Sequence, residues 1–425
     1  MTQAAVLAGL VALAATVLLT GLVVRFASAL GVLDDPATRL HPACLHTRPI
    51  PRGGGVALFA AIVGTACLFL PHDRVLVAIV LGASVVALIG YLDDVRANIH
   101  PYSRLLGQLV AAGLLLAGGV LFREIPEGLD VLGITPYLSH EGALASLTLG
   151  ALSVIWTVGL MNAVSWSSGV DGQISGVVVI AAFALACMGQ QLGGGQGDSL
   201  PFVLATITAG AYAGFFLWHV YPQRIMPGFG GATLAGFLLA AASMLDMRLV
   251  PALVTLLAVP LIDAGWIVLK RTFTGHNPVW GDASHLHHQL LAIGWSRQEV
   301  AFFYWLATTL FGLLIFSVGI RAHAVACGAI LGLACAIITW FNSAAEDARQ
   351  ERGPVGAGDR FAAGLSTRSR RNQARAKTRN DVDNVVTFDA RPRLRGQSPG
   401  IARHSGAMIR LAAGRRGGWG PHQGS

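Results

Sequence analysis

Asp93 and Asp94 stand side by side in the run GYLDDVRANIH, where a long apolar stretch meets polar sequence. Adjacent carboxylates at such a boundary repel each other unless a cation lies between or beside them. Either of two cations would serve. Mg²⁺ commonly takes one or two carboxylates together with substrate phosphates, and a partner arginine would do the same for charge, with Arg96 and Arg104 near in sequence.

Three other polar runs carry chemistry. HTRPIPRGGG, residues 46–55, combines His46, Arg48 and Arg52 with two prolines that stiffen the turn and three glycines that let backbone N–H groups approach an anion. It reads equally well as a stiff basic loop between helices. NAVSWSSGVDG, residues 162–172, interrupts apolar sequence with Asn162 and with Asp171 between glycines; polar backbone there lines a cavity or forms an ordinary glycine-rich turn. GHNPVWGDASHLHHQLLAIG contains Asp282, His285, His287 and His288. Histidines spaced i, i+2, i+3 do not share one helical face, which disfavours a three-histidine metal site. Ring N–H groups that hold phosphate oxygens are the better functional reading. Asp263, in VPLIDAGW, either binds a ligand or pairs with a base such as Lys270.

These runs must be positioned by elements that the composition already constrains. The 425 residues are 54% hydrophobic and 12% charged, against about 25% charged in a soluble domain. A water-soluble globule of this size is excluded, and the apolar residues face lipid. Spans of ~20 apolar residues are expected at 5–27, 55–71, 75–92, 105–122, 146–165, 173–190, 200–220, 230–245, 249–268, 300–320 and 323–341, giving an all-α polytopic protein of eleven helices. The first segment lacks a basic leading region and is too long for a signal sequence, so it reads as a retained helix. Residues 123–142 read as an outer hairpin or short amphipathic piece.

Loops after odd-numbered spans hold nine Lys and Arg, including Arg48, Arg52, Arg96, Arg104 and Arg297, whereas those on the other face hold four. Positive residues stay preferentially inside. The N-terminus is therefore expected outside, and the four polar runs and the C-terminus in the cytoplasm. Residues 343–425 carry a net charge of +9 while the rest carries −1. That tail, set apart from a body of residues 1–342, lacks apolar periodicity and is expected to be disordered. Four of the five cysteines lie in apolar runs and no CxxC occurs, so neither a disulfide framework nor a zinc site is suggested. A transporter would place its carboxylates and broken helices at mid-membrane; clusters at the cytoplasmic boundary argue against one.

Taken in order, HTRPIPRGGG, GYLDDVRANIHPYSRLLGQ, MNAVSWSSGVDGQISG and DASHLHHQLLAIGWS resemble the polyprenyl-phosphate N-acetylhexosamine-1-phosphate transferases over about residues 1–341. The His-x-His-His run is closest to the branch that uses UDP-GlcNAc. The resemblance implies a multi-pass enzyme of the bacterial inner membrane, dependent on Mg²⁺ with Mn²⁺ as an alternative ion. It would transfer a sugar 1-phosphate from a UDP-sugar to undecaprenyl phosphate, release UMP and so begin a cell-envelope polysaccharide such as a lipopolysaccharide. Its partners would be those two substrates, membrane lipid and a second copy in a homodimer, with no nucleic acid. Asp93 and Asp94 would flank the metal and the lipid phosphate, with one as base and Asp171 as a further ligand. Asn162 and Asp171 would line the nucleotide cavity, with His46, Arg48, Arg52 and Asp282 binding substrate and His285, His287 and His288 holding phosphates.

Two departures bear on the metal. Ser165 and Ser168 replace the second Asn and first Asp of the family's N-x-x-N-x-x-D-G-x-D-G, and GFGGA at 228–232 puts Phe229 at the metal-ligating Asp of Gly-Asp-x-Gly-Ser. Phenylalanine cannot ligate Mg²⁺. The options are a weaker site, a substitute ligand such as Asp171 or Asp282, or a chain that binds lipid phosphate or nucleotide sugar without turnover.

Overall fold

The computed structural model describes residues 3–36, 48–96, 99–124, 142–193, 198–275, 277, 285–317 and 332. These residues form α1 (Gln3–Phe26), α2 (Gly54–Phe69), α3 (Arg74–Arg96), α4 (Pro101–Ala117), α5 (Ala143–Trp166), α6 (Gln173–Leu192), α7 (Leu200–His219), α8 (Gly228–Leu245), α9 (Leu249–Leu256), α10 (Ala258–Phe273), α11 (Leu286–Ala292) and α12 (Arg297–Ser317). A two-residue antiparallel ribbon pairs β1 (Leu33–Asp34) with β2 (Ile50–Pro51). The protein is an all-α polytopic membrane protein. Among the described residues, α1, α3, α5, α6, α7, α8 and α12 are each long and apolar enough to cross a membrane.

The expected span at 249–268 is not one straight helix. It is α9 followed by α10, bent by 75° at Leu257, and the pair makes an eighth crossing if counted together. Pro260 has no N–H to donate to the carbonyl of Leu256, so the helical ladder fails just where the direction changes. The segments at 55–71 and 105–122 form helices of 16 and 17 residues, shorter than the seven long ones. The helix expected at 323–341, the hairpin at 123–142 and the tail at 343–425 lie wholly or mostly outside the described residues.

Helices α6, α7 and α8 are buried on most sides, whereas α1, α3, α5 and α12 leave broad leucine-rich faces open. With lipid as solvent, helices associate through close packing of small residues rather than by escaping water. Glycine permits this between α3 and α8: a Cβ on Gly90 would stand 2.1 Å from the Cα of Gly230. Short α4 runs antiparallel beside α3. At its start Arg104 reaches Asp93 near the end of α3, and past its end Gly118 abuts Ala78 near the beginning of α3. Short α2 starts at the level where α3 ends, because its N-terminal Gly55 packs on Gly231 of α8, one residue beyond the contact of Gly90. The ends of α3, α5 and α7 and the starts of α2, α4, α6, α8 and α12 thus gather at one end of the bundle, opposite the start of α1.

Candidate active site

Asp93 and Asp94 occupy the last turn of α3, only 1% and 6% exposed. Carboxylates are poorly placed there, because the C-terminal end of a helix already carries partial negative charge. The tertiary structure compensates both. Asp93 Oδ1 accepts from Arg104 Nε at 2.9 Å, from Arg104 Nη2 and from the Ile99 N–H at 3.1 Å. Asp94 Oδ1 accepts from the Phe229 N–H at 3.3 Å, in the first turn of α8, and lies 3.7 Å from Arg52 Nε. The positive end of α8 therefore faces the negative end of α3. Gly228 is required at this junction: its φ is +66°, and a Cβ would fall 2.1 Å from Asp94 Oδ2.

Arg52 is delivered by the ribbon. Its N–H donates to the Val32 carbonyl at 2.8 Å, and its guanidinium lies between Asp94 and Asp34, the latter at 3.9 Å. The glycines of HTRPIPRGGG serve packing: the Gly54 N–H donates to the Met226 carbonyl, and Gly54 and Gly55 press on Phe215 and Gly231.

A second cluster centres on buried Asp171, whose Oδ2 accepts from the Gln223 N–H at 3.2 Å and whose Oδ1 lies 3.6 Å from Arg297 Nη1. Arg48 Nη2 donates to the Gln223 carbonyl at 3.1 Å. Asp171 and Arg48 thus grip the loop after α7 from both sides. That loop continues to Met226, whose N–H donates to the Pro51 carbonyl, and on to Gly228 beside Asp94. Asn162 is turned to α4, where its Nδ2 donates to Gln108 Oε1 at 2.8 Å as well as back to the Val158 carbonyl.

The third cluster surrounds the histidines. Asp263, for which the sequence left open a ligand or a basic partner such as Lys270, bonds His285 Nδ1 at 3.0 Å and accepts from the Leu286 N–H at 2.9 Å, so it fixes one ring and starts α11. His287 stacks on His285 with centroids 5.8 Å apart, lies 4.2 Å from the His288 centroid, and presses so closely on Gly169 that a Cβ there would overlap its Nε2. Gly169 joins this cluster to the Asp171 loop. His46 and Asp282 lie outside the described residues.

Helix α11 is too short to span. Burial first, then His288 and His285, hold the His287 ring well below its ordinary pKa, so it is neutral at neutral pH. The unfolded chain binds a proton at this position as pH falls through about 6.5, and the folded chain does not. Stability is thus retained above that pH and lost below it. The melting temperature of the detergent-solubilised protein should fall between about pH 7.5 and 5.5, and His287→Gln should reduce the fall. An unchanged slope in the variant would remove His287 from this role.

The described residues do not fit the magnesium site that the resemblance implies. Asp93 and Asp94 are both turned to guanidinium and amide donors, and Asp171 is committed to Gln223 and Arg297. The third ligand position is the ring of Phe229, over which the Arg104 guanidinium sits 5.1 Å from the centroid. Among the described residues, no group of three or more His, Cys, Asp and Glu is placed to hold a metal ion.

Arg104 stands in the sequence, with Arg96, as a candidate partner of the acidic pair, and the structure places it on Asp93; the His285 partner of Asp263 was not anticipated. Gln108, Gln223 and the Arg297–Asp171 pair gave no local signal, because each partner comes from a distant segment.

A family model for glycosyl transferase family 4 matches residues 76–246, which include Asp93, Asp94, Asn162, Asp171 and Phe229. The chain is 30% identical over 340 residues to a decaprenyl-phosphate N-acetylglucosaminephosphotransferase of Mycobacterium tuberculosis, covering 72% of this chain and 81% of that protein. It is 27% identical over 302 residues to a probable undecaprenyl-phosphate N-acetylglucosaminyl 1-phosphate transferase of Bacillus subtilis, covering 69% and 79% respectively. A phospho-N-acetylmuramoyl-pentapeptide-transferase of Geobacillus kaustophilus is 28% identical over 285 residues, with 62% and 82% covered. With its acidic pair, its loop 162–172 and its histidine run gathered at one end of a helical bundle, the chain belongs to glycosyl transferase family 4.

Proposed function

We propose that the protein transfers an N-acetylhexosamine 1-phosphate, with N-acetylglucosamine as the first sugar to test, from a UDP-sugar to a polyprenyl phosphate such as undecaprenyl phosphate. The reaction begins a cell-envelope polysaccharide. A lipid-phosphate oxygen forms a bond to the sugar-bearing phosphorus as its bond to the UMP oxygen breaks, and UMP leaves. Phosphoryl transfer of this kind depends on alignment and charge neutralisation more than on covalent help. The observation that carries the reading is the buried Asp93–Asp94 pair, bracketed by Arg52, Arg104 and the N-terminus of α8, in a chain of this family. The carboxylates fix the guanidiniums, which meet the phosphates. The His285–His288 run lines the same end, joined to the Asp171 loop through Gly169.

The site faces the cytoplasm of a bacterial inner membrane by the distribution of Lys and Arg, with the N-terminus outside. Reading α2 and α4 as short crossings, α9–α10 as one bent crossing and 323–341 as the last retains eleven spans and a cytoplasmic tail. The chain works as a homodimer. Purified protein given UDP-GlcNAc and undecaprenyl phosphate should release UMP, and a panel of UDP-sugars should rank the donors. Phe229 supports a second reading, substrate binding without turnover. Saturable binding of either substrate with no UMP would select it, and binding of neither would overturn both readings.

A further inference from the structure

The geometry points to protein guanidiniums, Arg104 above all, as the cations that meet substrate phosphate at the Asp93–Asp94 pair, in place of a divalent ion. This inference rests on the transferase reading. Two adjacent buried carboxylates require positive charge, and the described structure supplies it from two arginines held by different means.

Arg104 is fixed from two sides. Its Nε and Nη2 address one oxygen of Asp93, and its Cζ lies over the ring of Phe229, 5.1 Å from the centroid. An aromatic face attracts a guanidinium without adding charge, and it holds the fork against one side. A carboxylate at position 229 would instead add a third negative group and compete for the same arginine. The aromatic ring at 229 and the arginine above it are thus one arrangement: the residue that cannot ligate a metal orients a cation that needs none.

The arrangement is open to a ligand. The Arg104 side chain is 27% exposed while its partner carboxylate is 1% exposed, so the guanidinium forms the outer layer of the pair. Guanidinium presents its N–H donors in a planar fork suited to phosphate oxygens. Arg52, 15% exposed between Asp34 and Asp94, supplies a second cation beside the N-terminus of α8. A divalent ion entering between these carboxylates would have to displace both guanidiniums from partly buried pairs, and would find no third acid at 229.

The test uses full-length protein in detergent, freed of metal with EDTA. Titration with Mn²⁺, read by the loss of the free-ion electron paramagnetic resonance signal, should show no stoichiometric binding to wild type. Binding of UDP-GlcNAc or undecaprenyl phosphate to wild type should persist in EDTA, weaken roughly tenfold to a hundredfold in Arg104→Met and weaken less in Arg104→Lys, which keeps the charge but not the planar fork. Phe229→Leu should weaken binding with no gain of Mn²⁺, whereas Phe229→Asp should gain Mn²⁺ and lose metal-free binding. Gel filtration and melting temperature check that each variant is folded, and the two conservative variants, Lys and Leu, carry the test if Met or Asp fails to fold. Stoichiometric Mn²⁺ on wild type, or substrate binding that requires Mg²⁺, overturns this inference and leaves the transferase reading standing. Binding of neither substrate with or without Mg²⁺ overturns both.

Discussion

Asp94→Asn lowers UMP release by about a hundredfold or more while the protein remains folded in the membrane. The amide keeps a carbonyl oxygen that can still accept the Phe229 N–H, so the junction between α3 and α8 retains its hydrogen bond. What disappears is the charge that holds Arg52, now 3.7 Å from Asp94 and also drawn toward Asp34. An arginine whose position is set by one carboxylate instead of two no longer waits where the phosphates arrive, and transition-state charge is met too late. UMP release measured at equal amounts of monodisperse protein checks this. Asp93→Asn should behave alike, because Asp93 anchors Arg104. Wild-type turnover in both variants would show that the pair serves packing and not substrate.

Gly90→Val should abolish activity by a different route, through the distance between two helices. The added Cβ would stand 2.1 Å from the Gly230 Cα and 2.6 Å from its N, both backbone atoms that no rotamer change can move. Helices α3 and α8 have to separate, at a cost of about 1–3 kcal/mol or more, and Asp94 then leaves the Phe229 N–H. The melting temperature should drop along with turnover. Gly159→Ala in α5 is the control: nothing lies within 4 Å of its added Cβ, so stability should hold or rise slightly, since alanine is the better helix former. Equal losses in both variants would mean that glycine itself, and not this contact, is what the helices need.

Much of the bundle was legible in the chain. Lipid-facing helices must be long and apolar throughout, and that signal is local, so segments such as 5–27 and 146–165 appear within a few residues of α1 and α5. The break in 249–268 was written in Pro260, but a hydropathy window averages over a single missing N–H. The short helices α2 and α4, of 16 and 17 residues, are apolar enough to be expected as spans from sequence, but which of their ends touch α3 and α8 shows only in the tertiary structure.

The sequence by itself determined that the chain is a polytopic membrane protein, that its chemistry-bearing residues fall in four polar runs at span ends, and that Asp93 and Asp94 need a cation. Each of these follows from composition, local spacing or the repulsion of neighbouring charges. Only the tertiary structure decided which arginines lie against the pair. Arg104 answers Asp93 from the next helix, 11 residues on, and Phe229 arrives beneath it from α8. It also decided that Asp263 holds His285 across 22 residues and that Asp171 holds the loop at Gln223 across 52. A charge states its need for a partner in its own side chain, but the identity of that partner depends on which helix ends packing brings together. That information is spread over every glycine, proline and apolar face of the bundle.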